Sequence, residues 1–317
     1  MKKVAFIYPG QGSQSIGMGQ DIVKNYPLAR DMFRKADDLL GVDLSEFMFQ
    51  GPEESLTHTV HAQPALLLVS SAITEILKQE NILPNVTAGH SLGEYSALVA
   101  AKAISFEDAI KLVHKRGQLM EEAFPKGKGK MAAVLGLQKD QLEEALAGIR
   151  EKNGEIVELA NINCPGQIVI SGTSEGIELA INKLKEAGAK RVLPLNVSGP
   201  FHSSLMKPAA SKLDNELSNV EINDAHVPIF ANVTAAKVKS ADSIKDLLVE
   251  QLYSPVRFEE IIEALVEEEL DAIVEVGSGK VLSGLVKKID RKQKTFQLQD
   301  KASIDSFVEW YKEGEEI

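Results

Sequence analysis

The chain has 317 residues, 44% of them hydrophobic and 26% charged, which matches an ordinary globular protein and excludes a disordered, collagen-like or disulfide-stapled one. Thirty-five basic residues against 46 acidic ones leave a formal net charge of -11, a balance that repels nucleic acid and anionic membranes, so neither is expected as a partner. The single cysteine, Cys164, excludes an internal disulfide framework and a cysteine-rich zinc site and points to a reducing cytoplasm.

Met1–Tyr8 is too short for a signal peptide and reads as a first strand, and no stretch approaches the roughly 20 uninterrupted apolar residues of a membrane span. A Gly/Gln/Ser loop follows at Gly10-Gln11-Gly12-Ser13-Gln14. The periodicity then predicts helices over Leu28–Leu40 and Pro64–Leu77, and a short apolar strand at Val86-Thr87-Ala88. Ser105-Phe106-Glu107-Asp108 resembles a capping box and opens a helix through Arg116 toward Phe124. This alternation is an α/β signature. Composition changes at Pro125-Lys126-Gly127-Lys128-Gly129, read as a flexible basic linker. Beyond it come a strand at Lys130–Leu135, a helix from Lys139, strands at Ile156–Asn161 and Gln167–Ser171 joined by a Pro165-Gly166 turn, a helix from Ser174 and a strand at Arg191–Leu195. This β-α-β-β-α-β order is that of the ferredoxin-like unit. Helix and strand alternate again after Gly199-Pro200, with strands expected at Val227–Val233 and Ala272–Val276. A single core is near its upper limit at this length. The expectation is therefore a larger α/β body, residues 1–125 and 198–317, carrying an inserted smaller subdomain over 126–197.

Gly89-His90-Ser91-Leu92-Gly93 matches G-x-S-x-G, the nucleophile elbow, in a fitting context: a strand-like run precedes it and the helix-forming Glu94–Ala101 follows. Such a turn exposes the Ser91 hydroxyl, aims the Leu92 backbone N–H at the site of an oxyanion and sets the positive end of a helix behind both. A serine hydroxyl needs a base, and the chain offers His58, His61, His90, His114, His202 and His226. The side chain of His90 should leave the elbow in another direction, and His114 lies within a helix. His58 and His61 could cap or pack. His202 sits in a loop where the chain re-enters the larger body, the kind of placement where catalytic residues concentrate. Residue type and placement leave it one candidate among several.

Other sites are weaker. Gly10-Gln11-Gly12 lacks the third glycine of a dinucleotide loop, since Ser15 stands there, and Val276-Gly277-Ser278-Gly279-Lys280 fails as a dinucleotide loop and as a P-loop. His58-Thr59-Val60-His61 has no partner set for a metal, and no bound metal is expected.

Taken together, Gly10–Gln14, Gln63-Pro64-Ala65, Gly89–Glu94, Arg116, Gly199-Pro200-Phe201-His202-Ser203 and Gln251-Leu252-Tyr253-Ser254-Pro255-Val256 resemble the bacterial malonyl-CoA:acyl carrier protein transacylases over nearly the whole chain. The resemblance implies an α/β-hydrolase-like body with a ferredoxin-like subdomain closing over a cleft. It implies that Ser91 is acylated by malonyl-CoA, that His202 is its base, and that the backbone N–H groups of Gln11 and Leu92 form the oxyanion hole. A backbone carbonyl near Gln251 would orient the histidine, so no third acid of a triad is sought. Arg116 would grip the free malonyl carboxylate with a planar two-pronged fork that lysine cannot copy. Without the resemblance, Arg116 would read as a surface arginine near a helix end. Gln63 would be a supporting residue in the cleft or just behind it, with an ordinary helix-start glutamine as the alternative, and Phe201 would pack on the small acyl group.

The implied partners are malonyl-CoA and acyl carrier protein, with no cofactor, and a monomer is the default. An acidic carrier protein would need a basic face, for which Lys126, Lys128, Lys130, Lys190 and Arg191, or Lys287, Lys288, Arg291 and Lys292, are candidates. The competing readings are a serine esterase or thioesterase, with water as acceptor, and a non-catalytic scaffold.

Overall fold

The run Val4–Tyr8 is apolar at every position, which suits a strand covered on both faces rather than one with a wet side. In the computed structural model, which describes residues 1–313, this run is β1, and every one of its residues is buried. The other strands are β2 (Val86–Gly89), β3 (Gly129–Leu135), β4 (Val157–Cys164), β5 (Gln167–Thr173), β6 (Arg191–Pro194), β7 (Ile229–Phe230), β8 (Lys237–Val238), β9 (Ala272–Val276) and β10 (Thr295–Leu298). They form two sheets. The first has the order β10-β9-β1-β2-β7-β8. Its strands run parallel except β8, which returns antiparallel to β7. Helices join the parallel strands, as the geometry of parallel crossovers requires.

The helix Thr59–Gln79 forms much of the core on one face of this sheet. An 18-residue window in it has a mean hydropathy of 1.3, apolar and long enough to cross a membrane, but 83% of that window is buried inside the protein. It is the central core helix.

The second sheet, β4-β5-β3-β6, is antiparallel throughout. Helices Lys139–Asn153 and Ser174–Glu186 lie in the β-α-β-β-α-β order expected from the sequence. Val134, Leu142, Leu146, Ile149, Val157, Ile170, Ile177 and Leu184 give this unit a core of its own. Met131, Ala160 and Val169 instead join the larger core, so one face of the sheet packs on the body. The contact is stitched by backbone: the Ile162 N–H donates to the Val256 carbonyl at 2.8 Å and the Val256 N–H to the Ala160 carbonyl at 2.8 Å.

The structure departs from the sequence reading in these places. The helix expected from Pro64 begins at Thr59. A proline favours a helix start, but here the preceding turn is held by packing, since a Cβ on Gly117 would lie 2.8 Å from the Thr59 oxygen and the Val60 Cα. The strand expected at Val227–Val233 is reduced to Ile229–Phe230. Pro228 has no N–H to donate, and Asn232 is drawn off to hold the elbow, as described below. Gly129, assigned to the linker, is the first residue of β3. β8 and β10 were not expected at all.

Candidate active site

The elbow at Ser91 is set by close backbone approach. A Cβ on Gly89 would fall 1.9 Å from the Gly93 carbonyl carbon, and one on Gly93 would fall 2.0 Å from the Tyr8 oxygen, so neither position admits a side chain. Ser91 itself takes φ 51°, a left-handed conformation that costs a non-glycine residue about 1–3 kcal/mol and persists only where neighbours enforce it. Asn232 supplies that enforcement. Its Oδ1 accepts the Ser91 N–H at 2.7 Å and its Nδ2 donates to the Gly89 carbonyl at 2.6 Å. The helix Gly93–Ala100 begins directly behind the serine.

Of the six histidines, the fold brings His202 to the serine. Its Nε2 lies 2.7 Å from Ser91 Oγ, and its Nδ1 lies 2.9 Å from the Gln251 carbonyl oxygen. A carbonyl can only accept, so Nδ1 carries the proton and Nε2 presents a lone pair to the serine hydroxyl. Burial, and then the nearby positive charge of Arg116, push the His202 pKa down from 6.5 to about 3. The ring is therefore neutral at physiological pH, as a base must be. His202 also sits at positive φ, 57°, so the two partners of this hydrogen bond are both held in unusual backbone conformations. The other histidines go elsewhere. His90 meets Asn163 Oδ1 at 2.8 Å, His61 binds the Ser55 carbonyl, and His226 is exposed.

Arg116 is not a surface residue: it is fully buried in the helix Phe106–Glu122. Its Nη2 lies 3.3 Å from Ser91 Oγ and donates to Gln251 Oε1 at 2.9 Å, and its guanidinium stands 5.3 Å from the centre of the Tyr95 ring. Neither of those hydrogen-bond partners is a carboxylate. Nε and Nη1 have no hydrogen-bond partner. Buried donors without partners are rare and costly, about 1–3 kcal/mol each, and here two of them belong to one cation that stands 3.3 Å from the Ser91 hydroxyl.

A cleft of about 320 Å³ opens over Ser91. Gln11, His90, Ser91 and Met120 line it from the body, Met131 and Asn161 from the second sheet, and Phe201 and His202 from the re-entrant loop. The Gln11 side chain donates to Thr59 Oγ1 at 3.2 Å, steadying its loop. Leu92 is buried at the start of the helix behind Ser91. Gln63 lies outside the cleft lining, buried, with its Nε2 3.2 Å from Met120 Sδ and its Oε1 unpartnered. Among the described residues no group of three or more His, Cys, Asp or Glu side chains could hold a metal ion.

Sequence reasoning missed Glu94, Asn232 and Glu158. Glu94 had a visible signal, a lone acid in the otherwise uncharged run Gly93–Ala101. Asn232 and Glu158 had none, because their partners are 141 and 46 residues away.

Residues 5–303 match the family described as the acyl transferase domain. The chain is 53% identical over 313 residues to the malonyl CoA-acyl carrier protein transacylase of Bacillus subtilis, covering 99% of this chain and 98% of that one. This chain belongs to the acyl transferase family, among its malonyl CoA-acyl carrier protein transacylases. The fold agrees. An acyl carrier protein S-malonyltransferase of Vibrio cholerae superposes with a TM-score of 0.93 at 44% identity, over 96% of this chain and 99% of that one. A malonyl-transacylase solved in complex with a type II PKS acyl-carrier protein superposes with a TM-score of 0.94 at 43% identity, over 97% and 99%. Membership of this family makes the chain an enzyme, a transferase of acyl groups, and links it to fatty acid synthesis.

Proposed function

We propose that the protein transfers the malonyl group of malonyl-CoA to the phosphopantetheine thiol of acyl carrier protein, through a malonyl ester on Ser91. In the first half-reaction His202 Nε2 takes the Ser91 proton as Oγ attacks the thioester carbonyl. The backbone N–H groups of Gln11 and Leu92 hold the oxyanion, the C–S bond breaks, and CoA leaves as the thiol with the proton from His202. In the second, His202 takes the proton of the carrier's thiol, sulfur attacks the ester, and Ser91 recovers its proton. One thioester replaces another, so the ping-pong cycle is close to thermoneutral and needs no cofactor. Gln251 orients His202 and Arg116, Phe201 packs beside the acyl group, and Gln63 supports Met120 at the cleft wall.

The observation that carries this reading is the buried Arg116 guanidinium, 3.3 Å from Ser91 Oγ with two of its nitrogens unpartnered. An acyl group with a free carboxylate satisfies those donors in a site where a neutral acyl group leaves them orphaned. The body over 1–125 and 198–317 we take as α/β-hydrolase-like, and 126–197 as a ferredoxin-like subdomain; the strand orders and the separate apolar core support that division. The smaller unit covers the cleft and limits water at the ester.

Incubation with radiolabelled malonyl-CoA tests the reading. Label should appear on Ser91, leave rapidly to acyl carrier protein and leave slowly to water. Fast release of free malonate would indicate a hydrolase, and no label at all a scaffold; either result overturns the proposal.

A further inference from the structure

Glu94 is a carboxylate only 3% exposed that the reaction scheme above leaves unused. Its Oε2 accepts the Gln251 side-chain N–H at 2.7 Å and the Asn232 backbone N–H at 3.0 Å. Each of these neighbours reaches a working part of the site. Asn232 holds the Ser91 N–H at 2.7 Å. Gln251 turns its Oε1 to Arg116 at 2.9 Å and gives its carbonyl to His202 at 2.9 Å. A side-chain amide has two faces, and the Glu94 carboxylate, which can only accept, forces the NH₂ of Gln251 toward itself and so the oxygen toward the guanidinium. Negative and positive groups are thus joined through one amide without touching. A carboxylate in direct contact with Arg116 would occupy the fork that the substrate needs, whereas a site with no counter-charge would bury the cation alone, which is strongly unfavourable.

We propose that Glu94 is a positioning residue and exchangeable counter-charge: it balances Arg116 through the Gln251 amide while the site is empty, and it takes up a proton from solvent when a carboxylate-bearing acyl group arrives. This rests on the reading of Arg116 as the partner of the acyl carboxylate. With that carboxylate present, an ionised Glu94 would leave two buried negative charges facing one positive, and like charges disfavour ionisation. Binding of the dicarboxylic acyl group and protonation of Glu94 are then linked, while binding of a neutral acyl group is not.

The other ionisable groups around the site do not titrate near neutrality. Arg116 on its helix stays charged, His202 on the re-entrant loop is pushed down to about 3, His90 on the elbow is lowered by burial, and Tyr95 beside Glu94 is pushed up to about 12. Asn232 and Gln251 are uncharged. Burial raises Glu94 from 4.5 to about 7, and an added carboxylate raises it further. Above about 7 the free enzyme carries an ionised Glu94 that must take up a proton on malonyl loading, so loading weakens as pH rises.

The test compares the fraction of acyl-enzyme formed from malonyl-CoA and from acetyl-CoA at equilibrium with free CoA, by intact-protein mass, from pH 6 to 8.5. Ionisation of the CoA thiol affects both and cancels in the ratio. The malonyl-to-acetyl ratio should fall by up to about tenfold per pH unit above about 7, the limit for one linked proton, and should be flat in Glu94→Gln. A merely structural role for Glu94 would lower both acyl groups together at every pH. A flat wild-type ratio, or a slope retained in Glu94→Gln, overturns this inference while leaving the malonyl-serine reading intact. If the wild-type enzyme takes no label from malonyl-CoA, both fall. The wild-type slope decides the matter even if the variant does not fold.

Discussion

The two sheets meet at one cleft but bring different things to it. The body built on the parallel sheet supplies Ser91, Arg116 and Glu94, with His202 on the re-entrant loop, all joined by hydrogen bonds. The antiparallel sheet brings uncharged side chains, Met131 and Asn161, to the cleft wall, Asn163 to His90, and one carboxylate, Glu158, which receives the N–H and hydroxyl of Ser204 at 2.7 and 2.8 Å. The body carries the buried polar network, and the smaller unit lines the space and ties down the loop that carries His202. Buried charge needs a scaffold with little freedom, whereas on the proposed function the wall would meet two large thioesters in turn and can be neutral.

That division is open to attack at each level. Ser91→Ala and His202→Ala should have the largest effects, each lowering the transfer rate by about 10⁴-fold or more, as loss of a nucleophile or its base does elsewhere; Ser91→Ala should take no label in a malonyl-CoA incubation. The same histidine sharpens the comparison through pH. Because burial holds its pKa at about 3 rather than 6.5, it stays unprotonated as pH falls from 7 to 5, and kcat/KM should show no acid limb near 6.5. Stability has the matching sign. The unfolded chain binds a proton at this residue below about 6.5 and the folded one does not until about 3, which lowers Tm on acidification, but Glu94, raised from 4.5 to about 7, opposes that loss down to about 4.5. The His202 contribution should therefore show as a fall in Tm between about pH 4.5 and 3, and from about 6.5 downward in Glu94→Gln.

Arg116→Ala comes next, weakening malonyl transfer by about 2–5 kcal/mol, the usual loss for a buried charge contact. Acetyl transfer should suffer much less, and equal damage to both acyl groups would remove the carboxylate role. Gly93→Ala tests the rigidity of the body directly. A Cβ there meets the backbone of the central strand at 2.0 Å, so denaturant unfolding should show a loss of about 3 kcal/mol or more. The smallest effect belongs to the other side of the cleft. Glu158→Gln keeps the shape but weakens two charge-assisted bonds to Ser204, and should cost about 1–2 kcal/mol of stability with a modest fall in transfer rate. A loss as large as that of Arg116→Ala would mean that the antiparallel sheet takes part in the chemistry.

Local pattern carried much of this into the sequence. The elbow was legible because strand, glycine spacing and helix lie within Val86–Ala100, and the β-α-β-β-α-β order of the second sheet because its elements are consecutive. The strand at Ile229–Phe230 was overestimated because apolar alternation could not reveal that Asn232 leaves the ladder to grip Ser91. The helix start at Thr59 was misjudged because Gly117, 58 residues on in the chain, was not visible as its packing partner.

By itself the sequence determined the α/β class, the β-α-β-β-α-β element order over 129–194 and the serine at the turn, all consequences of backbone preference and hydrophobic period over short spans. Residue type and placement alone left open which of six histidines faces that serine and read Arg116 as a surface residue; the tertiary structure brings His202 to Ser91, buries Arg116, and joins Glu94 and Asn232 in the same network. Those are statements about distance and burial between segments far apart in the chain, and such contacts follow from how the whole core closes, not from any local run of residues.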